Sequence, residues 1–352
     1  MPNDQRAVAV TETASSRDSF WRRTAPAWTL AVLAPVIAEV LSGATRMSYI
    51  FALIPEIMVW GCGALLIREA VRRWRGGWTS MWLLGLALSV AEEFLIQQTS
   101  LAPLPWPGTH PAYGRLWGVN WIYFLFMLGY ESAFVVLVPI QVTELVFRKR
   151  RSGPWLKRFG TVACSLIFLL GCRIAWFAWV KRARPVVFHA PDYPVPAAAI
   201  WTGAVIIGLL ILLAYALRGT GERTSEASRN APAVWLVLLG TLVLGFPWYL
   251  LMAFVFGPER TLPFWIPVAA GVAWAAIVFA AVKHWASGRG WGDMHRWALT
   301  FAAALVCMIA GFAGSSTWPR VDLVGKSVLD VAAVVAFALL ARRLGRERSA
   351  EA

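Results

Sequence analysis

The sequence has little charge and none of the motifs of common soluble enzymes. Only 15% of its 352 residues are charged, whereas a soluble protein has about a quarter. A P-loop, a dinucleotide-binding fingerprint, His-Glu-x-x-His and Gly-x-Ser-x-Gly are all missing, so ATP-driven transport and the usual hydrolase motifs are not supported. The chain is instead 59% hydrophobic, with a mean hydropathy of +0.60. This balance predicts a membrane protein.

Cysteine and histidine are scarce, with four residues of each type. The cysteines lie singly in apolar runs and form no Cys-x-x-Cys pair, so neither a disulfide framework nor a zinc ribbon is predicted. The histidines fall in loops or at predicted helix ends. The N-terminal segment Met1–Ala25 is polar, and we interpret it as a disordered cytoplasmic tail rather than a signal peptide.

Long apolar runs dominate the rest of the chain. Each is close to the about 20 residues that an α-helix needs to cross a bilayer. We therefore predict an all-α, polytopic membrane helix bundle of about ten spans. These are 26–45, 49–67, 79–99, 119–147, 159–180, 197–217, 233–256, 264–282, 297–314 and 326–341. The first four spans occupy positions 26–147, the next two occupy positions 148–232 and the last four occupy positions 233–341, before a basic tail at 342–352.

The basic residues predict the orientation of the bundle. Lys and Arg total 33 against 19 acidic residues, and most lie in segments on the same side of the membrane as the N-terminus. By the positive-inside rule, this distribution predicts a multi-pass protein of the cell membrane with both termini in the cytoplasm. It also explains the net charge of +14 without a nucleic-acid partner, and the lipid bilayer is the partner that we predict.

A faint internal repeat relates the first four spans to the last four. Pro35, Ile54-Pro55 and the segment Gly43–Arg46 recur at a nearly constant offset along the chain, as Pro247, Ile266-Pro267 and Gly257–Arg260. Parallel repeats of this kind occur in transporter folds, and the pattern predicts a parallel 4+2+4 arrangement.

Acidic residues inside the predicted spans are the strongest functional feature. An ionisable side chain at the bilayer centre costs about 2.5–3.5 kcal/mol on insertion scales, so it is a functional-site hypothesis by default. With a helical rise of about 1.5 Å per residue, the buried acids and one arginine come to similar depths in five spans. We predict that they line one polar pocket in the outer half of the membrane: Glu39, Glu56, Glu92, Glu93, Glu131 and Arg173.

Several further residues are predicted to support this pocket. Ser89 and Gln97 lie four residues before and after Glu93, which places them on the same helical face. His110 lies in the aromatic, proline-rich loop Leu101–Gly118, which is either an interfacial belt or a lid over the acids. Glu144 is predicted to form a surface pair with Arg148.

The acids cannot all be ionised together in a membrane without compensation. Protonation, Arg173 or a cationic ligand could supply it. If a metal binds, the candidate ligands are Glu39, Glu56, Glu93 and Glu131. A site of carboxylates alone favours a hard divalent cation such as Mg²⁺, Ca²⁺ or Mn²⁺.

The segment Ala91–Gln97 resembles the first motif of the CPBP glutamic intramembrane proteases, the CAAX-processing and bacteriocin-immunity group. That motif reads Glu-Glu-x-x-x-Arg on a membrane helix, and here Gln97 stands in place of its arginine. The resemblance implies that Glu92 activates a water for peptide hydrolysis. The later histidine motifs of that family are not found within the spans of this sequence.

Three functions remain open on the sequence. The first is a membrane-embedded, glutamate-dependent hydrolase or lipid-modifying enzyme, acting on a lipid or membrane peptide, with Glu92, Glu93 and Glu131 as catalytic residues. The second is a proton- or cation-coupled transporter that uses the same acids as a relay. The third is a structural or chaperone-like membrane subunit, in which the acids pair with Arg173.

Overall fold

The computed structural model describes residues 21–219, 229–257 and 262–351, and these residues are almost entirely helical. Within them, nine helices are long and apolar enough to cross a membrane. A further helical segment, residues 21–40, precedes the nine. In chain order the helices are α1 (21–40), α2 (Met47–Arg73), α3 (Trp78–Ile96), α4 (Trp121–Val146), α5 (Arg158–Val187), α6 (Ala197–Ala216), α7 (Val234–Phe256), α8 (Trp265–Ala286), α9 (Asp293–Ala310) and α10 (Arg320–Glu351).

Each predicted span overlaps one of these helices, with ends shifted by several residues, and the prediction of an all-α, polytopic membrane protein is confirmed. Residues 1–20 of the predicted N-terminal tail lie outside the described residues, and residues 21–25 are helical. The predicted basic tail at 342–352 is mostly a continuation of α10, which ends at Glu351. The orientation in the membrane stays a prediction.

The bundle has an inner and an outer layer of helices. In α3 and α4, 72% and 61% of the apolar span is buried, whereas only 11% is buried in α6 and in α8. The outer helices expose leucines such as Leu166 on α5 and Leu209 on α6. Because lipid is the apolar solvent of these surfaces, we interpret the outer layer as the lipid-facing one. Among the nine spans, α2, α3 and α4 have the largest buried shares and form the inner layer, and α1 packs into the same core through residues such as Leu30 and Ala34.

Two helices that are counterparts in the predicted repeat, α3 and α9, each pack closely against other spans. Helix α3 packs mainly against α6 and the middle of α4, whereas α9, its counterpart in the repeat, packs mainly against α7. Residues 258–261, which include most of the repeated segment Gly257–Arg260, lie outside the described residues. The repeat therefore stays a prediction.

A network of buried ion pairs ties together the helix ends on the predicted cytoplasmic side. Arg68 is fully buried, and its guanidinium lies 3.1 Å from the carboxylates of both Glu69 and Glu144. Arg72 also contacts Glu144, at 2.7 Å. The prediction of a surface pair between Glu144 and Arg148 is therefore wrong.

The end of α4 explains that error. The helix stops at Val146, so Arg148 leaves the helical face of Glu144. It instead contacts Asp293 of α9 and Glu347 of α10, each at 2.6 Å. The i, i+4 rule fails here because one of the two residues lies beyond the helix.

The connection between α3 and α4 contains a small hairpin. Strand β1 (Arg115–Leu116) pairs antiparallel with β2 (Val119–Asn120) across a turn at Trp117 and Gly118. The Asn120 side chain then caps α4 by accepting a hydrogen bond from the backbone N–H of Tyr123. This ordered loop fixes the start of α4 relative to the end of α3, and both helices contribute acids to the site described below.

Close helix crossings bring the acid-bearing helices together. A Cβ atom at Gly61 of α2 would overlap the backbone carbonyl of Ala31 of α1. A Cβ atom at Gly171 of α5 would lie 2.6 Å from the Cβ of Met58 of α2. Small residues at such crossings allow two backbones to approach in a membrane, where no hydrophobic force joins helices.

We predict that Gly61→Val destabilises the protein by about 1–3 kcal/mol or more, because the added methyl groups force α1 and α2 apart. Thermal unfolding in detergent, followed by tryptophan fluorescence, measures this effect as a lower midpoint. Gly208→Val on α6 is the matched control, because nothing lies within 4 Å of a Cβ atom there. Equal midpoints for the two variants would contradict the close crossing.

Candidate functional site

The four helices that carry the predicted pocket glutamates all leave regular α-helical geometry at or next to these residues. Each contains a π-helical turn, in which backbone hydrogen bonds reach five residues along the chain instead of four. Such turns often mark functional sites, because they reorient side chains at a cost in helix stability. They are Val36–Val40, which contains Glu39; Ile57–Gly61, which follows Glu56; Glu92–Ile96, which begins with Glu92 and Glu93; and Glu131–Leu137, which begins with Glu131.

The π turn in α3 alters the backbone hydrogen bonding at Gln97. The backbone N–H of Gln97 donates to the carbonyl oxygen of Glu92, five residues earlier, at 2.9 Å. The Gln97 side chain consequently lies beside the carboxyl of Glu92. The predicted face shared by Gln97 and Glu93 stays a prediction, and the π turn adds the proximity of Gln97 to Glu92.

The five glutamates form one connected group, which we call the glutamate cluster: Glu39, Glu56, Glu92, Glu93 and Glu131. Glu92 lies within electrostatic range of Glu93 and Glu39. Glu131 interacts with the same three acids, and Glu39 interacts in turn with Glu56. Except for the half-buried Glu39, all are buried. Acids from α1, α2, α3 and α4 thus meet inside the bundle.

Hydrogen bonds hold some of these carboxyls firmly. One carboxylate oxygen of Glu93 accepts hydrogen bonds from both the backbone N–H and the hydroxyl of Ser100, at 2.8 and 2.6 Å. Glu56 accepts a short hydrogen bond from the hydroxyl of Thr45. Ser89 lies beside Glu131, and its hydroxyl donates to the carbonyl oxygen of Met127 at 3.0 Å. Glu93 and Glu56 are therefore fixed in position.

Glu92 differs from the others. Its side chain is 1% exposed, and neither carboxyl oxygen has a hydrogen-bond partner with normal geometry among the described residues. One oxygen of Glu131 and one of Glu56 are also without a partner in that part of the chain. Buried polar groups are nearly always satisfied in native structures, so each exception requires an explanation. The cluster therefore has free hydrogen-bonding capacity concentrated at Glu92.

Arg173 does not belong to the site, and its predicted place in the pocket is wrong. Gly171 faces α2, and Arg173 lies about 200° further around α5. Its side chain is exposed, with the guanidinium 4.4 Å from the ring centroid of Trp176. Among the ion pairs of the described residues, none involves the glutamate cluster.

His110 also lies away from the acids, in the loop between α3 and α4. Its side chain is exposed, and its Nδ1 atom accepts hydrogen bonds from the backbone N–H groups of Ala112 and Tyr113. This arrangement closes a turn within the loop. It gives His110 a local structural role and no contact with the glutamate cluster.

The structure adds buried tyrosines that we did not predict from the sequence. Tyr123 of α4 lies within electrostatic range of Glu39, Glu92, Glu93 and Glu131. The hydroxyl of Tyr130 donates a short hydrogen bond to the carbonyl oxygen of Ala38, the residue before Glu39. The spacing of Tyr123 and Glu131, eight residues apart on one apolar helix, was the available indication that they share a face.

The predicted metal ligands do not form a coordination shell. Among residues 21–219, 229–257 and 262–351, no group of three or more His, Cys, Asp or Glu side chains is placed to hold a metal ion. Glu93 directs an oxygen at Ser100 and Glu56 at Thr45. The four proposed carboxylates thus do not converge on one coordination point.

The chemistry available to the cluster is proton transfer. Buried carboxyls within electrostatic range of one another cannot all be ionised, since like charges in a low-dielectric interior repel strongly. Protonated and ionised members can therefore coexist, as donors and acceptors of hydrogen bonds. Neighbouring carboxyls in different environments are the usual arrangement of a general acid and a general base.

Comparison with known proteins identifies a family. A family model described as an uncharacterized membrane protein family matches residues 29–347. This range includes all ten helices except the first residues of α1 and the last residues of α10. No curated protein and no solved structure matches the chain.

We predict that Glu92→Leu leaves the stability of the protein unchanged or raises it, because it removes a buried carboxyl that has no partner. Glu144→Leu is the matched comparison, since Glu144 is about equally buried but is paired with Arg68 and Arg72. It is expected to lose about 3–5 kcal/mol. Unfolding midpoints in detergent compare the two variants. A loss at Glu92 as large as at Glu144 would show that Glu92 is a structural residue.

Proposed function

The chain belongs to this uncharacterized membrane protein family, whose description names no reaction, and we propose from the site that it is a membrane-embedded, glutamate-dependent hydrolase. The substrate is a lipid or a membrane peptide with an ester or amide bond. Glu92 is the general base, Glu131 is the second catalytic acid, and Glu93 positions the end of α3. The observation that supports this proposal best is the buried Glu92 carboxyl, whose two oxygens have no partner within the described residues.

The free-energy cost of burying the Glu92 carboxyl favours a functional role over a structural one. A structural acid in a membrane bundle pairs with a cation or accepts hydrogen bonds. Glu144, paired with Arg68 and Arg72, shows how this chain builds such a pair. In the described part of the chain Glu92 has no cation and no hydrogen bond of normal geometry, although the Gln97 amide lies beside it, and Arg173 is exposed on α5. The structural-subunit hypothesis loses the ion pair on which it depended.

In the proposed reaction, the Glu92 carboxylate takes a proton from a water molecule. The water oxygen forms a bond to the carbonyl carbon of the substrate, and the carbonyl oxygen becomes negative. The tetrahedral intermediate then breaks its bond to the leaving nitrogen or oxygen, which receives the proton from Glu92. Atoms and protons balance, and Glu92 returns to its starting state.

The neighbouring groups have distinct parts in this proposal. A protonated Glu131 donates a hydrogen bond that holds the water against Glu92. The Tyr123 hydroxyl, in range of the same acids, donates to the negative oxygen of the intermediate. Glu93 is a positioning residue, because its bonds to Ser100 lock the end of α3.

The resemblance to the CPBP proteases is consistent with the same assignment. It places the water-activating glutamate at Glu92, the acid that lacks partners. Gln97, which stands at the position of the motif's arginine, lies beside Glu92. In the proposed site, this neutral amide leaves the Glu92 charge uncompensated and the carboxylate a stronger base.

A transporter is the second candidate, favoured by the linear order of the acids. Glu56 interacts with Glu39, and Glu39 with Glu92 and Glu131. The hydroxyl of Thr45 bonds to Glu56 and also lines a surface recess with Arg46 and Asp322. Such a series can pass protons inward from one surface.

We expect Glu92→Gln to lower hydrolysis by about 100-fold or more, because an amide cannot act as a general base. The purified protein in nanodiscs is incubated in H₂¹⁸O with a membrane lipid extract and, separately, with synthetic membrane peptides. Mass spectrometry then measures ¹⁸O in the new carboxyl groups.

Glu347→Gln is the control. Glu347 lies on α10, outside the glutamate cluster, and pairs with Arg148 and Arg343. Size-exclusion chromatography establishes that both variants are folded. The hydrolase proposal fails if ¹⁸O incorporation is the same in wild type and Glu92→Gln, or is absent with every substrate.

The transporter candidate predicts a different result in proteoliposomes that enclose a pH-sensitive dye. Imposed proton or cation gradients should then produce a dye response that disappears in Glu92→Gln. If the protein is a hydrolase, the wild type and this variant should give the same response as empty liposomes. A flux that depends on Glu92, without ¹⁸O incorporation, decides for the transporter.

A further inference from the structure

A surface recess lies next to the glutamate cluster, at the end of α3 on the predicted outer side. We call it the arginine recess, and its lining includes Gln97, Gln98, Arg184, Pro191, Asp192 and Tyr193. Gln97 also lies beside Glu92. One side chain thus connects the recess with the proposed general base.

The recess is built around a buried arginine. Arg184 is only 4% exposed. Its Nη2 atom donates to the carbonyl oxygen of Pro103 at 2.9 Å, whereas its buried Nη1 atom has no hydrogen-bond partner among the described residues. A buried guanidinium with an unused donor is costly. An acceptor that enters the recess would satisfy it.

The surrounding charges favour an anion. Arg115 lies within electrostatic range of Arg184 and adds a second positive charge. Asp192 is the acid at the rim; it is largely exposed and lies 3.8 Å from the ammonium group of Lys181. Three basic side chains thus lie in or near the recess against one acid, and Asp192 interacts with both Arg184 and Lys181. Arg184 has no carboxylate within ion-pair distance in the described part of the chain.

We propose that the arginine recess binds the anionic group, phosphate or carboxylate, of an amphipathic substrate. A guanidinium presents parallel N–H donors that match both groups. The Gln97 and Gln98 amides can donate to the same oxygens. The rest of a substrate bound there lies close to Glu92, because Gln97 both lines the recess and lies beside Glu92. This inference rests on the proposed hydrolase for the identity of the ligand as substrate, and on the recess alone for the binding of an anion.

The test measures anion binding directly, without turnover. Native mass spectrometry and fluorescence titration follow the binding of three probes to the protein in neutral detergent: phosphatidylglycerol, oleate and inorganic phosphate. Arg184→Gln should weaken binding about tenfold or more, as expected for the loss of a charge-assisted hydrogen bond. Arg182→Gln removes the same charge from an exposed neighbour on α5 and should leave affinity unchanged.

A second pair of variants avoids any effect of Arg184 on folding. Pro191→Glu adds a negative charge at the edge of the recess and should weaken anion binding. Pro194→Glu adds the same charge at an exposed position of the same loop, outside the recess, and should have a smaller effect. If Arg184→Gln aggregates, the comparison of Pro191→Glu with Pro194→Glu tests the proposal instead.

The probes separate the possible ligands. Preference for phosphatidylglycerol indicates a lipid phosphate, preference for oleate a carboxylate, and equal binding of inorganic phosphate a small anion. A preference for phosphatidylglycerol or oleate that is lost in Arg184→Gln supports the proposal, whereas equal binding of inorganic phosphate contradicts an amphipathic ligand. Equal affinity in Arg184→Gln and Arg182→Gln, or no binding of any probe to wild type, overturns it.

Glu92→Gln distinguishes this inference from the proposed function. It should keep wild-type anion binding, because Glu92 does not line the recess. Anion binding that depends on Arg184 in a protein without hydrolysis would leave the recess established and refute the hydrolase. Hydrolysis that depends on Glu92 with no effect of Arg184→Gln on binding or on KM would refute the recess alone.

Discussion

The low dielectric of the membrane interior is the constraint on which the structure depends. Five glutamates lie inside a helix bundle, and no ion pair of the described residues neutralises them. Such groups are tolerated only when protein shields them from lipid. The arrangement of the helices supplies this shield: the most deeply buried spans, α3 and α4, contribute three of the acids. Outer helices with exposed leucines and valines surround them.

Buried acids occur in two arrangements in this protein. At the predicted cytoplasmic ends, Arg68, Glu69 and Glu144 form a closed network in which each carboxylate contacts an arginine. In the glutamate cluster, the described residues supply hydroxyls, amides and tyrosines but no cation. Paired charges stabilise a fixed geometry, whereas acids without cations can exchange protons. One molecule thus contains both paired acids and acids without a cation among the described residues.

Much of the fold could be predicted from apolar runs, because about 20 apolar residues can cross a bilayer only as a helix. The depth of each acid followed from the regular helical rise. Helical faces were less predictable. The π turn at Glu92 placed Gln97 beside Glu92, and the end of α4 separated Arg148 from Glu144. Rules of i, i+4 spacing assume a regular helix, and this geometry changes at the π turn and at the helix end.

By itself, the sequence determined that this is a helical membrane protein with costly acids at similar depths, since composition and rise along a helix are local properties. Only the tertiary structure decided which side chains meet. It joined Glu39, Glu56, Glu92, Glu93 and Glu131, added Tyr123, and left Arg173 on the outer surface. Rotation of each helix about its axis depends on crossings such as that of Gly171 against Met58. Those contacts involve residues far apart in the chain, so no pattern within one span specifies them.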